Sequence, residues 1–164
     1  ALNILNKKNS LENVQAFIIG SDQGRVRYKD ELIQMIKAHS LQSKLSIAHG
    51  LNKMPVAYAI ANLVLSSSIE PESFGRVSVE AQSMEKPVLA SDIGGSLETV
   101  INNKTGWLFK NNDVNDLSKK LEMVIKTEQK VLDLIGKQGR KNVKENYTRE
   151  LMVSRTLEIY SSLV

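Results

Sequence analysis

The chain has 164 residues, 41% of them hydrophobic, with 22 Lys and Arg against 18 Asp and Glu and no cysteine. That is enough apolar surface for a single domain, 1–164, with its own core, while disulfides and thiolate metal sites are excluded and no run is long enough to span a membrane. The formal charge of +4 comes mostly from scattered lysines, which argues against nucleic acid as a partner, and the absence of cysteine and of a signal peptide fits a reducing cytoplasm.

The chain opens on Ala1 rather than Met, so we expect a piece of something longer. Ala1–Lys8 reads as the end of a helix. Val14–Gly20 is a short apolar run closed by glycine, the pattern of a buried strand. Tyr28–Ala38 carries Leu32, Ile33, Met35 and Ile36 at helical spacing. Leu45–Gly50 is a second strand, and Met54–Ala61 a short helix with Pro55 in its first turn. Leu63–Ser68 is a third strand and Gly75–Met84 the helix after it. Pro87–Asp92 is a fourth strand, and Ser96 is placed to cap the short helix that follows. Thr105–Lys110 is a fifth strand. Asp113 starts a long amphipathic helix through Leu117, Leu121, Val124 and Ile125, and Asp113 and Asp116 read as helix N-terminal residues. Helices over Val131–Asn146 and Thr148–Val164 follow. The alternation predicts an α/β fold, a Rossmann-like parallel sheet with helices on both faces. Ligands of such folds bind outside the carboxyl ends of the strands.

The segment that carries chemistry is Glu70-Pro-Glu72-Ser-Phe-Gly-Arg-Val-Ser-Val-Glu80. Two carboxylates with seven residues between them flank a Phe-Gly turn, at a strand end and a helix start. Amides at a helix N-terminus bind phosphate, and carboxylates accept hydrogen bonds from sugar hydroxyls. Together they suit a molecule that is both phosphate and sugar. With the helix starting at Gly75, Val77, Ala81 and Met84 share one face, and Glu80 sits on its flank.

The run Glu72-Ser-Phe-Gly-Arg-Val-Ser-Val-Glu80-Ala, then Lys86-Pro-Val-Leu-Ala-Ser-Asp-Ile-Gly-Gly-Ser-Leu-Glu-Thr-Val100, then Thr105-Gly-Trp-Leu closely resembles the group 1 (family 4) glycosyltransferases. The resemblance covers nearly the whole chain. It implies one half of a GT-B fold, the two-Rossmann-domain arrangement, and transfer of a sugar from a UDP- or GDP-linked donor with retention. It implies that Glu80 accepts hydrogen bonds from the donor ribose and that Glu72 contacts the donor sugar and serves catalysis. Phe74, Gly75 and Arg76 then offer backbone N–H groups to the sugar and diphosphate, and a side chain at Gly75 would crowd that approach. Gly20 and Ser21 match a loop on the nucleotide side, and His49, Gly50 and Leu51 the region near the base, although His49 reads equally as a loop histidine without a role. Gly94 and Gly95 are read first as the turn between strand and helix. Arg25 and Arg27 are read as a solvated loop. No cofactor and no metal are implied: oriented N–H dipoles and basic side chains stabilise the leaving diphosphate.

Members of the family also carry an Arg and a Lys that grip the diphosphate, and an N-terminal domain that binds the acceptor, a saccharide or a lipid-linked sugar. Neither is in this chain. The expected whole is therefore the C-terminal, donor-binding half without its first strand, inactive by itself. Without that strand, Val14–Gly20 and Leu63–Ser68 are expected either to pair directly or to have the gap filled by another segment or chain, with self-association through the open edges as a consequence. A non-catalytic nucleotide-binding module, an inactive fragment of a split gene and, less well, a nucleotide-sugar epimerase are the competing readings. Lys137, Arg140, Lys141, Lys144 and Arg149 form a basic stretch. A solvated helix face is the preferred account of it, and peripheral association with the inner face of a membrane the other.

Overall fold

The structure, a computed structural model, describes residues 1–50 and 53–163. Among them the elements run α1 (Leu2–Lys7), β1 (Ala16–Gly20), α2 (Val26–Ala38), β2 (Leu45–His49), α3 (Met54–Ile60), β3 (Val64–Ser66), α4 (Arg76–Ser83), β4 (Val88–Ser91), α5 (Ser96–Thr99), β5 (Gly106–Phe109), α6 (Val114–Ile125), α7 (Gln129–Asn146) and α8 (Arg149–Ser162). This is the expected α/β alternation, and every pairing between the strands is parallel. No helix among the described residues is long and apolar enough to cross a membrane.

The strands form two sheets rather than one, β1-β2 and β3-β4-β5. Direct pairing of β1 with β3, one of the expected outcomes, is not seen among the described residues. The chain likewise divides into two compact units, Ala1–Ala57 with Val114–Lys126 and Tyr58–Asp113 with Thr127–Val164.

In the first unit β1 and β2 pair in register from Ala16↔Leu45 to Gly20↔His49. The strand expected to be buried is not: Phe17 is 57% and Ile18 39% exposed. A strand with one neighbour and uncovered faces leaves its apolar side chains in water. α1 packs against α6, and Lys8 and Lys126 both bind the Glu122 carboxylate, at 3.2 and 2.8 Å. These two cations hold the Glu122 carboxyl below its ordinary range.

The second unit has a denser core. Its middle strand, β4, is paired on both sides, and Val88, Leu89 and Ala90 are fully buried. This explains the unbroken apolar run Val88-Leu89-Ala90, since a strand covered on both faces has no solvent side to alternate with. Trp107 and Phe109 of β5 extend this core, each large apolar side chain contributing roughly 1.5–3 kcal/mol by burial.

α4 lies on β3 and β4 and packs along α7. The close approach uses glycine: a Cβ on Gly136 would strike the Glu85 carbonyl, and one on Gly139 would come within 2.9 Å of Gln82 Cγ. The buried face of α4 is Ser78, Val79, Ala81 and Gln82; of the expected Val77, Ala81 and Met84 only Ala81 is buried, and Val77 is over a third exposed. The reason is polar. Gln82 Nε2 donates to the Thr99 carbonyl at 2.9 Å, and Asn142 Nδ2 lies 3.3 Å from that carbonyl and 3.4 Å from Gln82 Oε1. Gln82, Thr99 and Asn142 are all buried, so these bonds draw Gln82 inward where the apolar count favoured its neighbours.

At α5 the N-cap is Gly95, not Ser96, which is already the first helical residue. Thr148 does cap α8, its hydroxyl accepting from the Leu151 amide at 3.2 Å. No residue of α8 is buried.

Candidate active site

β3 ends at Ser66, and the chain crosses to α4 through the segment that holds Glu72. The Glu72 carboxylate is turned back onto the strand end. Its Oε1 accepts a hydrogen bond from the Ser68 hydroxyl and a weaker one, 3.5 Å, from Ser66. The Ser68 carbonyl in turn accepts from the Ser91 hydroxyl at 2.8 Å, and Asn111 Nδ2 donates to the Ile69 carbonyl at 3.0 Å. The ends of β4 and β5 thereby fasten the approach to Glu72.

The second fastening is made by two glycines that sequence reasoning took for a simple turn. The Gly95 amide donates to the Glu72 carbonyl at 2.8 Å. A Cβ on Gly95 would lie 2.6 Å from Phe74 Cα, and one on Gly94 would lie 2.6 Å from the Glu72 carbonyl oxygen. The backbone of Gly94-Gly95 thus lies directly on the backbone of 71–74.

Gly75 follows at φ +74°, as the N-cap of α4. A Cβ there would meet its nearest atoms at 3.5 Å, an ordinary contact. Within this chain the need for glycine is therefore conformational rather than steric. The left-handed turn aims the start of α4 so that the amides of Gly75, Arg76 and Val77 have no acceptor among the described residues; the first intrahelical bonds run from Ser78 and Val79 to the Gly75 carbonyl. The Phe74 ring stands beside them, edge-on to Tyr147 with centroids 5.7 Å apart.

Glu80 lies one turn into α4, and both of its oxygens are held. Oε1 accepts from Arg76 Nη2 at 2.9 Å, and Oε2 from the Tyr58 hydroxyl at 3.0 Å. Arg76 is 83% exposed, so this i,i+4 pair contributes only about 0.3–0.5 kcal/mol. Tyr58 is 6% exposed, and a hydrogen bond to a charged group contributes about 1.5–3 kcal/mol. Tyr58 is the stronger tether. Burial, and then the bond to Glu80, push its phenol up to about 12, so it stays a donor well into alkaline pH.

The structure brings Glu72, Phe74, Gly75, Arg76 and Glu80 to one turn of the second unit. In the first unit Gly20 and His49 are register partners at the carboxyl ends of β1 and β2, with Ser21 and Gly50 just beyond. The Ser21 hydroxyl accepts from the Gln23 amide at 3.1 Å, shaping the loop before α2, and Arg27 pairs with Glu31 on that exposed helix. Leu51 lies outside the described residues. Among the described residues no cluster of three or more His, Asp or Glu side chains comes together.

The sequence matches the model of the glycosyl transferases group 1 over residues 1–142. The chain belongs to this family. Among relatives of this group 1 chain, the capsular polysaccharide biosynthesis glycosyltransferase CapM of Staphylococcus aureus is 31% identical over 93 residues, which cover 57% of this chain and 24% of that protein. A solved glycosyltransferase from Rickettsia africae ESF-5 superposes with a TM-score of 0.87 at 29% identity, over 98% of this chain and 43% of that one. The HepE protein of Anabaena, solved in complex with UDP and glucose, superposes with a TM-score of 0.84 at 25% identity, over 94% and 43% of the two chains. The group 1 chain thus spans about a quarter of this curated relative and less than half of these solved ones.

Proposed function

We propose that this chain is the donor-binding part of a retaining glycosyltransferase, and that it holds a UDP- or GDP-linked sugar at the β3–α4 turn. The observation that carries the proposal is the pairing, at one turn, of two oriented carboxylates with three amides that have no acceptor among the described residues. Hydroxyls of a sugar and oxygens of a diphosphate are the partners such a set satisfies. The UDP and glucose in the HepE complex support this reading.

In the proposed complex Glu80 accepts the ribose hydroxyls and Glu72 accepts those of the donor sugar. The amides of Gly75 and Arg76, with the Phe74 amide before them, face the diphosphate. As the anomeric bond breaks, negative charge grows on the diphosphate, and fixed N–H dipoles stabilise it without having to reorganise. The acceptor, a saccharide or lipid-linked sugar, is assigned to a part of the enzyme outside this chain, so the chain alone binds nucleotide weakly and transfers nothing. No cofactor is assigned.

The test is a titration of this chain with UDP, GDP and UDP-glucose, followed through its backbone amide resonances, with sugar transfer by the full-length gene product assayed in parallel. Selective shifts between Glu72 and Glu80 are expected, together with a product of the donor's own anomeric configuration from the full-length enzyme. Absence of shifts in that segment with every nucleotide would remove the donor site, and acceptor-dependent transfer by the chain alone would refute the division of labour.

A further inference from the structure

We infer that Tyr58 is a positioning residue for Glu80, fixing the carboxylate so that it accepts both hydroxyls of a vicinal ribose diol. This rests on the donor-site reading above and adds a residue that the reading does not contain.

Tyr58 and Glu80 are 22 positions apart, on α3 and α4, and meet through a single hydrogen bond of 3.0 Å. A carboxylate on a helix surface turns freely about its last torsion, which is broad. Two donors on its two oxygens remove that freedom. One of them, Arg76, is largely in solvent, where its hold is weak and falls with salt. The other, Tyr58, is nearly inaccessible, and its ring cannot swing away without opening the packing around it. Each carboxylate oxygen has two lone-pair sites. With one on each oxygen occupied by Arg76 and Tyr58, one on each remains. One free acceptor site on each oxygen of a carboxylate held in a fixed plane can take the two hydroxyls of a cis diol. Tyr58 touches no substrate in this scheme; it acts through Glu80.

A cycle of two proteins and two ligands tests the assignment. The full chain and its Tyr58→Phe variant are titrated with UDP and GDP, and with the 2′,3′-dideoxy form of each. For the nucleotide that binds the wild-type chain more tightly, Tyr58→Phe is expected to weaken binding roughly ten-fold while leaving the affinity of the dideoxy form unchanged. Equal weakening of both forms would mean that Tyr58 only supports the fold, and no weakening of either would mean that it does not set Glu80; each result overturns the assignment. If the wild-type chain binds none of the nucleotides, the donor-site reading fails and this inference with it. If it binds ribose and dideoxy forms equally, Glu80 is not the ribose acceptor and the inference alone falls. Should Tyr58→Phe not fold, the wild-type chain carrying 13Cζ-tyrosine answers instead, with resonances assigned through Phe variants at Tyr28, Tyr147 and Tyr160. The Tyr58 signal is expected to move with the ribonucleotide and not with its dideoxy form, and a signal that ignores the ribonucleotide refutes the assignment.

Discussion

The Gly95 amide is bonded to the Glu72 carbonyl at 2.8 Å, and the main chains of the two segments touch with no side chain between them. A methyl group at Gly95 would have to push the Phe74 backbone away. Gly95→Ala is therefore expected to destabilise the second unit by about 1–3 kcal/mol, and to speed amide exchange at residues 72–75 more than on β4. Exchange left unchanged at these residues would show that the turn is held by other means.

Gly75 presents the opposite case. Its added Cβ finds room, but its φ of +74° does not suit an L-residue. Gly75→Ala is expected to cost about 1–2 kcal/mol, and Gly75→Asn less, because Asn tolerates this region better. Denaturant melts of the two variants separate the conformational account from a steric one, which would make the larger Asn the worse of the two.

For the full-length enzyme, Glu80→Ala is expected to raise the nucleotide Kd about ten- to hundred-fold, the loss that follows removal of charged hydrogen bonds. Glu72→Ala is expected to lower kcat by a similar factor with little change in nucleotide Kd, because a contact to the reacting sugar counts more as its bond breaks. Binding and turnover measured side by side check this; equal and negligible effects of both substitutions would remove the pair from the site.

The Tyr58 phenol also gives a pH dependence. Its folded pKa is about 12 against an ordinary value of 10.0, so the folded chain keeps a proton that the unfolded chain releases. The stability this contributes is complete below pH 10 and is lost as the pH rises towards 12. Phenolate absorbance should show a late step that Tyr58→Phe abolishes. Glu80→Gln should bring that step down only part-way, since burial, the largest single cause, remains when the carboxylate is gone.

The order of elements, and the placing of two carboxylates around a glycine turn as the candidate site, were legible in the sequence because both are local. A period of hydrophobic residues marks a helix or strand within ten residues, and Gly75 sits in the turn it serves. What stayed hidden depends on distant partners. Nothing near Tyr58 marks it as the donor to Glu80, and nothing near Gly94 and Gly95 marks them as a seat for the backbone before α4. The buried face of α4 was misplaced because Gln82 counts as polar in any periodicity, whereas Thr99 and Asn142, far along the chain, satisfy its amide. Ser96 looked like a cap because its residue type favours one, but the backbone enters helical geometry one residue earlier, at Gly95. The apolar run of β1 resembled a buried strand, yet burial depends on what covers a strand, which the strand's own residues do not encode.

The shared carbonyl of Thr99 joins α4, α5 and α7 at one point. Withdrawing any one of the three helices breaks two of the three bonds that join them, each contributing about 0.5–1.5 kcal/mol. No helix of the three opens by itself at low cost, so they form a single cooperative block in the sense of native-state exchange. The amides in question start α4, so the helix that bears them is anchored at its far end, through Gln82, by Asn142, a residue with no part in the chemistry.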